Sequence, residues 1–140
     1  MPPADTTVST ALADYKSIFT GFRIYAVVLP QAHIAAGADR LTGTTVPRLQ
    51  AARDRLATAL SNHPDTSTPA LQADLIQMQN DIDATTTAAT GLADSALAVT
   101  PAAFNANHVV MAPLRAQLTT AVADARKALA DGKAIIQALG

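Results

Sequence analysis

Apolar residues recur every three or four positions along most of this chain, and the pattern is broken by a few stretches rich in Pro, Thr and Asn. Tyr15, Ile18, Phe19, Phe22, Tyr25, Ala26, Leu29, His33 and Ala36 form one stripe, while a weaker face carries Ile24, Val27, Val28, Ile34 and Ala35. A strand would alternate; here helical spacing persists for more than twenty residues, which predicts a helix apolar around most of its girth. Pro30 sits inside it. Its missing N–H cannot bond the Ala26 carbonyl and its ring pushes that carbonyl aside, so a kink is expected there.

Further along, "LTGTTVP" (41–47) reads as a helix end at Gly43 and a new start at Thr45 or Val46, although a continuous helix kinked at Pro47 fits the same residues. Leu49, Ala52, Leu56 and Leu60 carry the second helix to about Asn62. "SNHPDTSTP" (61–69) is a loop, with Thr68 as N-cap and Pro69 as first helical residue. Leu71, Leu75, Ile76, Met78, Ile82, Leu92 and Leu97 mark a long third helix to about Val99, loosened near Gly91. "TPAAFNANH" (100–108) repeats the Thr-Pro start for one short turn, and the last helix is expected to begin at Asn105 or Asn107. Val110, Leu114, Leu118, Ala121, Val122, Ala125, Leu129, Ile135, Ile136 and Leu139 follow its apolar face. At 1.5 Å per residue the first, third and last helices would each be roughly 45–55 Å long. Such rods, joined by short loops, bury their stripes side by side. The predicted fold is all-α: an antiparallel bundle of three to four long helices in a single domain, 1–140, with a disordered start at 1–6 and the first helix kinked at Pro30.

Residues 18–38 approach the length of a membrane span. Arg23, Gln31 and His33 lie inside that window and each is costly in hydrocarbon, so a buried core helix is the preferred reading. The opening "MPPADTTVST" shows no basic start and no apolar signal region.

Composition narrows the chemistry. There is no cysteine, which removes disulfides, thiolate metal sites and thiol nucleophiles. All 11 acidic residues are Asp, so the Glu-based di-iron site of helical bundles has no ligands here. A formal charge of −1 offers no general attraction to nucleic acid. Much of the 49% hydrophobic fraction is Ala, which lets helices approach closely.

The segments "DYKSIFTGFRIYAVVLPQAHIAAGADRL" (14–41) and "VTPAAFNANHVVMAPLRAQLTTAVADARKALADGKAII" (99–136) carry an Asp-Tyr start, a Tyr-x-x-x-x-Leu-Pro-Gln core, a Thr-Pro turn with Asn after an aromatic, and an Ala/Asp/Arg-rich last helix. In these the chain resembles a group of uncharacterised, predicted-secreted helical proteins of high-GC actinobacteria. The resemblance covers most of the chain and implies export, hence an extracytoplasmic location, and helicity. It transfers no activity and no site residues.

His33, His63 and His108 do not share a helix at metal-binding spacing, and no metal site is expected. His33, on the apolar stripe, reads as a core histidine. His33 with Met78 or Met111 is the pairing available for a haem-like group, without a Cys-x-x-Cys-His attachment motif. Asp81 and Asp83 lack the Gly and the closing carboxylate of a calcium loop. No nucleophile elbow, phosphate loop or dinucleotide fingerprint occurs, so no catalytic residue is nominated and no cofactor is expected. Tyr15, Phe19, Phe22 and Tyr25 hold four of the five aromatics and are expected at the packed end of the bundle.

The preferred expectation is a non-catalytic, exported helical bundle that serves as a structural or protein-interaction module, with a protein partner or self-association. The alternative is a carrier of an apolar or haem-like small molecule, in a pocket near the Pro30 kink lined by Phe19, Phe22, Tyr25, His33, Met78 and Met111. A third is a membrane-active bundle that unsheathes residues 18–38.

Overall fold

The computed structural model describes residues 3–22 and 24–140, and the side chains of 7–21 and 25–140. Helix α1 spans Pro3–Phe22, so the backbone of the expected disordered start is helical from Pro3. A π-helical segment, Ile24–Val28, leads into α2 (Leu29–Arg40); a second, Leu41–Thr45, leads into α3 (Val46–Asn62). Helix α4 (Pro69–Ala89), the short α5 (Leu92–Leu97) and α6 (Pro101–Ala106), and α7 (Ala112–Leu139) follow.

Residues 24–62 form one helical rod, because the junctions at Val28, Arg40, Leu41, Thr45 and Val46 all keep right-handed helical dihedrals. Gly43 therefore does not end a helix. Each π segment stops two residues short of a proline, Pro30 or Pro47. The proline ring crowds the carbonyl four residues back, and a wider turn with bonds to the fifth residue accommodates it. At the second segment this bond is explicit: Val46 N–H donates to the Leu41 carbonyl.

The rod, α4 and α7 make an up-down-up bundle. Met78 lies against Gly132, and Gln117 Nε2 donates to the Ala88 carbonyl at 2.8 Å, so α4 and α7 are antiparallel. Gln50 and Gln79 exchange amide hydrogen bonds between α3 and α4 at 3.1 and 3.2 Å. Along α4, Leu71, Leu75, Met78, Ile82, Thr85 and Ala89 are buried at steps of four and three. On α7 the matching positions are mostly small: Leu118, Ala121, Ala125, Ala128, Gly132 and Ile135. Where the seam lacks bulk the partners come close. A Cβ on Gly132 would lie 3.2 Å from Met78 Cε, and one on Gly37 would lie 2.9 Å from Leu118 Cδ2. Fully burying side chains such as Leu60, Ile82 and Ile135 stabilises by about 1.5–3 kcal/mol each. Thr85, in the same seam, is satisfied by donating to the Asp81 carbonyl at 2.8 Å.

Three expectations need correction. The buried face of the rod is the weaker one: Val27, Gln31, Ile34, Ala35, Ala38 and Leu41 are buried, whereas Leu29, His33 and Ala36 face solvent. The long third helix is divided, since Thr90 is extended and Gly91 takes a left-handed φ of 72°, after which α5 turns onto α2. The last helix starts at Ala112, after both Asn candidates; Asn107 Oδ1 instead accepts from Val109 N–H in a turn that precedes it. The Thr-Pro starts behave as expected, with Thr68 Oγ1 accepting from Leu71 N–H and Thr100 Oγ1 from Ala103 N–H.

Candidate functional site

Gln31 explains how α5 is held. Its side chain is buried on α2, and Nε2 donates to the carbonyls of Ala96 at 2.9 Å, Leu97 at 3.3 Å and Val99. These carbonyls belong to the end of α5 and the residues just after it, where intrahelical donors run out. The Gln of the Leu-Pro-Gln core is thus a tertiary cap. Counting it as a polar cost within an apolar stretch hid that role; its spacing of four from Val27 and three from Ile34 was the available signal.

Five residues of the expected ligand pocket have described side chains, and they are dispersed. Phe19 is 54% exposed on α1, Tyr25 is 83% exposed, and His33 is on the solvent face of α2. The Phe22 side chain lies outside the described residues, as does Arg23. Met78 and Met111 are buried within the apolar core, Met78 beneath Gly132. Among the described residues, Tyr15, Phe19 and Tyr25 likewise do not close the bundle: Tyr15 and Phe19 pair with ring centroids 4.7 Å apart on a helix whose side chains from 7 to 21 are all exposed. The cause is the placement of α1, which reaches past the bundle and packs on α6, with Asn105 Nδ2 donating to the Thr20 carbonyl at 3.0 Å. His63 lies in the loop and His108 sits edge-on to Phe104 at 5.1 Å. Among the described residues, no group of three or more His or Asp is placed to hold a metal ion. Nor is any helix among them long and apolar enough to cross a membrane.

Three other features stand out. The first is the outer face of α1, where Val8, Leu12, Tyr15, Ile18 and Phe19 are each half-exposed or more. The second is a half-open groove of about 260 Å³ between α3 and α7. Leu49, Leu56, Leu129 and Ile136 wall it, Met78 forms part of its floor, and Arg55 and Lys133 supply its charges. Phe19, Tyr25 and His33 do not line it.

The third is an acidic line along the α4–α7 seam. Asp81 and Asp124 are buried; Lys127 Nζ pairs with Asp124 Oδ1 at 2.8 Å, and this bond raises the lysine pKa above its ordinary value. Among the described residues no cation pairs with Asp131, and its Oδ2 is buried without a hydrogen-bond partner. Burial, followed by the nearby Asp81 carboxyl and then Asp74, holds the Asp131 pKa above the usual carboxylate range. With both carboxylates ionised neither can donate; one added proton lets Asp131 and Asp81 bond.

Comparison with family models, curated proteins and solved structures returned no match to this chain.

Proposed function

We propose that this protein is a non-catalytic helical module whose work is to hold another protein, with α1 as the docking element. One observation carries the reading: the apolar residues at coiled-coil spacing on α1 are left half-exposed or more by the rest of the chain. Val8, Leu12, Tyr15 and Phe19 are 67%, 50%, 59% and 54% exposed. Contiguous apolar surface of this kind marks interaction sites on soluble domains. The resemblance to exported actinobacterial proteins supports a place outside the cytoplasm. The test is affinity capture from extract and culture fluid of the producing cells, comparing the wild type with Leu12→Asp. Retention of a defined protein, or of the chain itself, by the wild type and its loss in the variant is expected. Equal retention by both would overturn the assignment of α1.

A second reading, a small-molecule carrier, is favoured by the α3–α7 groove rather than by the neighbourhood of Pro30. Apolar walls with Arg55 and Lys133 suit an amphiphile with an anionic head, and among the described residues no ion pair involves either cation. Native mass spectrometry of protein purified without refolding tests it. A reproducible excess mass, lost on Arg55→Ala/Lys133→Ala, supports carriage, and a clean mass rejects it.

A further inference from the structure

The apolar stripe of α1 is complementary to itself when reversed. Val8, Leu12, Tyr15 and Phe19 follow one another at steps of four, three and four, the a/d spacing of a coiled coil. We propose that α1 pairs antiparallel with α1 of a second copy of this chain, about a two-fold axis between Ala13 and Asp14, making the protein a reversible homodimer. This rests on the interaction-module reading above and names its partner.

The register follows from the side chains. With the axis between residues 13 and 14, Val8 faces Phe19 of the second copy and Leu12 faces its Tyr15, each pair occurring twice. Every layer then matches one ring with one smaller aliphatic side chain. The parallel alternative would set Tyr15 on Tyr15 and Phe19 on Phe19, with Val8 on Val8 leaving space at the other end. The flanks agree. The same axis places Lys16 beside Ser9 and Ile18 beside Ala11, so no like charges meet, and Ile18, 54% exposed, widens the apolar seam.

Placement of the bundles points the same way. Each α1 is tied to its own bundle near Thr20, through the Asn105 hydrogen bond and α6. Antiparallel pairing sends the two bundles to opposite ends of the paired helices, whereas parallel pairing would force them side by side. Size is adequate for a weak dimer. Taking about 150–250 Å² for an aromatic side chain and less for an aliphatic one, the uncovered stripe presents roughly 500 Å² per chain. Two faces together approach the roughly 1,000 Å² at which specific interfaces begin. Helix α1 also needs such a partner on its own account. Most helical stability in proteins comes from packing an amphipathic face, and the described side chains of this helix, 7–21, are all exposed.

Sedimentation velocity of the full chain across the micromolar range is the test. The wild type is expected to pass from monomer to dimer as concentration rises. Leu12→Asp removes a central layer and is expected to raise the dissociation constant at least about a hundredfold; Tyr15→Ser should weaken the dimer in the same direction. Because α1 lies outside the core, both variants should keep the wild-type thermal melt of the bundle. Ile76→Asp, at an exposed apolar position on α4, should leave the dimer intact. Register is read by mixing Ala11→Cys chains with Ile18→Cys chains and adding a short bis-maleimide: linked dimers should be mainly mixed.

A wild type that stays monomeric overturns the inference, as does a dimer that survives Leu12→Asp or is lost in Ile76→Asp. Mainly like-with-like linkage overturns the antiparallel register. A monomeric wild type that still captures a different protein through Leu12 would defeat self-pairing alone and leave the module reading in place. Failure of both would end the two together.

Discussion

Replacing Gln31 by Leu keeps the side chain's bulk and removes its two N–H groups from the end of α5. The wild-type amide is shared among the carbonyls of Ala96, Leu97 and Val99. Two hydrogens serve three acceptors, so no more than two full bonds are lost. The Ala96 carbonyl keeps a second donor, Val99 N–H at 3.2 Å, and the part-buried carbonyls of Leu97 and Val99 can turn to water. With each intramolecular bond worth about 0.5–1.5 kcal/mol net, the expected loss is about 2 kcal/mol. Urea unfolding followed by far-UV circular dichroism measures it. At an m of about 1–3 kcal/mol/M the midpoint should fall by roughly 1 M. Gln31→Glu sharpens the test, because it places carboxylate oxygens against carbonyl oxygens in a buried setting. At neutral pH it should destabilise more than Leu does. In acid the penalty should shrink, since the introduced carboxyl regains one donor once it is protonated. A Leu variant within about 0.5 kcal/mol of wild type, or Leu and Glu variants that coincide at neutral pH, would refute the capping role.

The Asp131→Asn variant should be more stable than wild type near neutral pH. Because the folded-state pKa lies above the ordinary 3.8, the folded protein holds the extra proton and stability falls as pH rises through that window; the variant's advantage should therefore vanish in acid, as a pH series of unfolding midpoints would show. Gly43→Ala, on an exposed helical turn with open space at the Cβ position, should gain about 0.5–1 kcal/mol, whereas Gly91→Ala, forced to φ 72°, should lose about 1 kcal/mol in the same assay. Met78→Ala should cost about 2–5 kcal/mol, while His33→Ala should stay within about 0.5 kcal/mol; comparable losses at both positions by chemical denaturation would contradict the burial of Met78 and the exposure of His33.

Helical periodicity and the Thr-Pro starts were sufficient to place most elements, because caps and first-turn prolines act over three or four residues and need no tertiary information. What was not legible was which side of the rod faces inward. Tyr15, Phe19 and Tyr25 dominate any reading by size, yet burial follows the geometry of the neighbours, and small side chains such as Ala35 and Ala38 fit where α2 closes on α5 and α7. The capping role of Gln31 was not legible for the same reason: its partners are carbonyls 65 to 68 positions away in sequence. Of the residues expected to line a ligand pocket, Phe19, Tyr25 and His33 came from the stripe that points to solvent, whereas Met78 and Met111 lie in the core. Gly91, by contrast, was visible as a weak point, but its left-handed turn depends on α5 finding α2.

The antiparallel α4–α7 seam also sets a timetable for synthesis. Ile82 meets a surface supplied by residues such as Ala125 and Ala128, which emerge more than forty residues later. At about 5–20 residues per second on the ribosome, Leu75, Met78 and Ile82 wait for seconds without their main partner. During that interval the nascent chain is a helical hairpin of α3 and α4 with one greasy side open. The small side chains of α7 then complete the core by closing onto a surface that is already in place, so the arrival of α7 is the step that commits the chain to its fold.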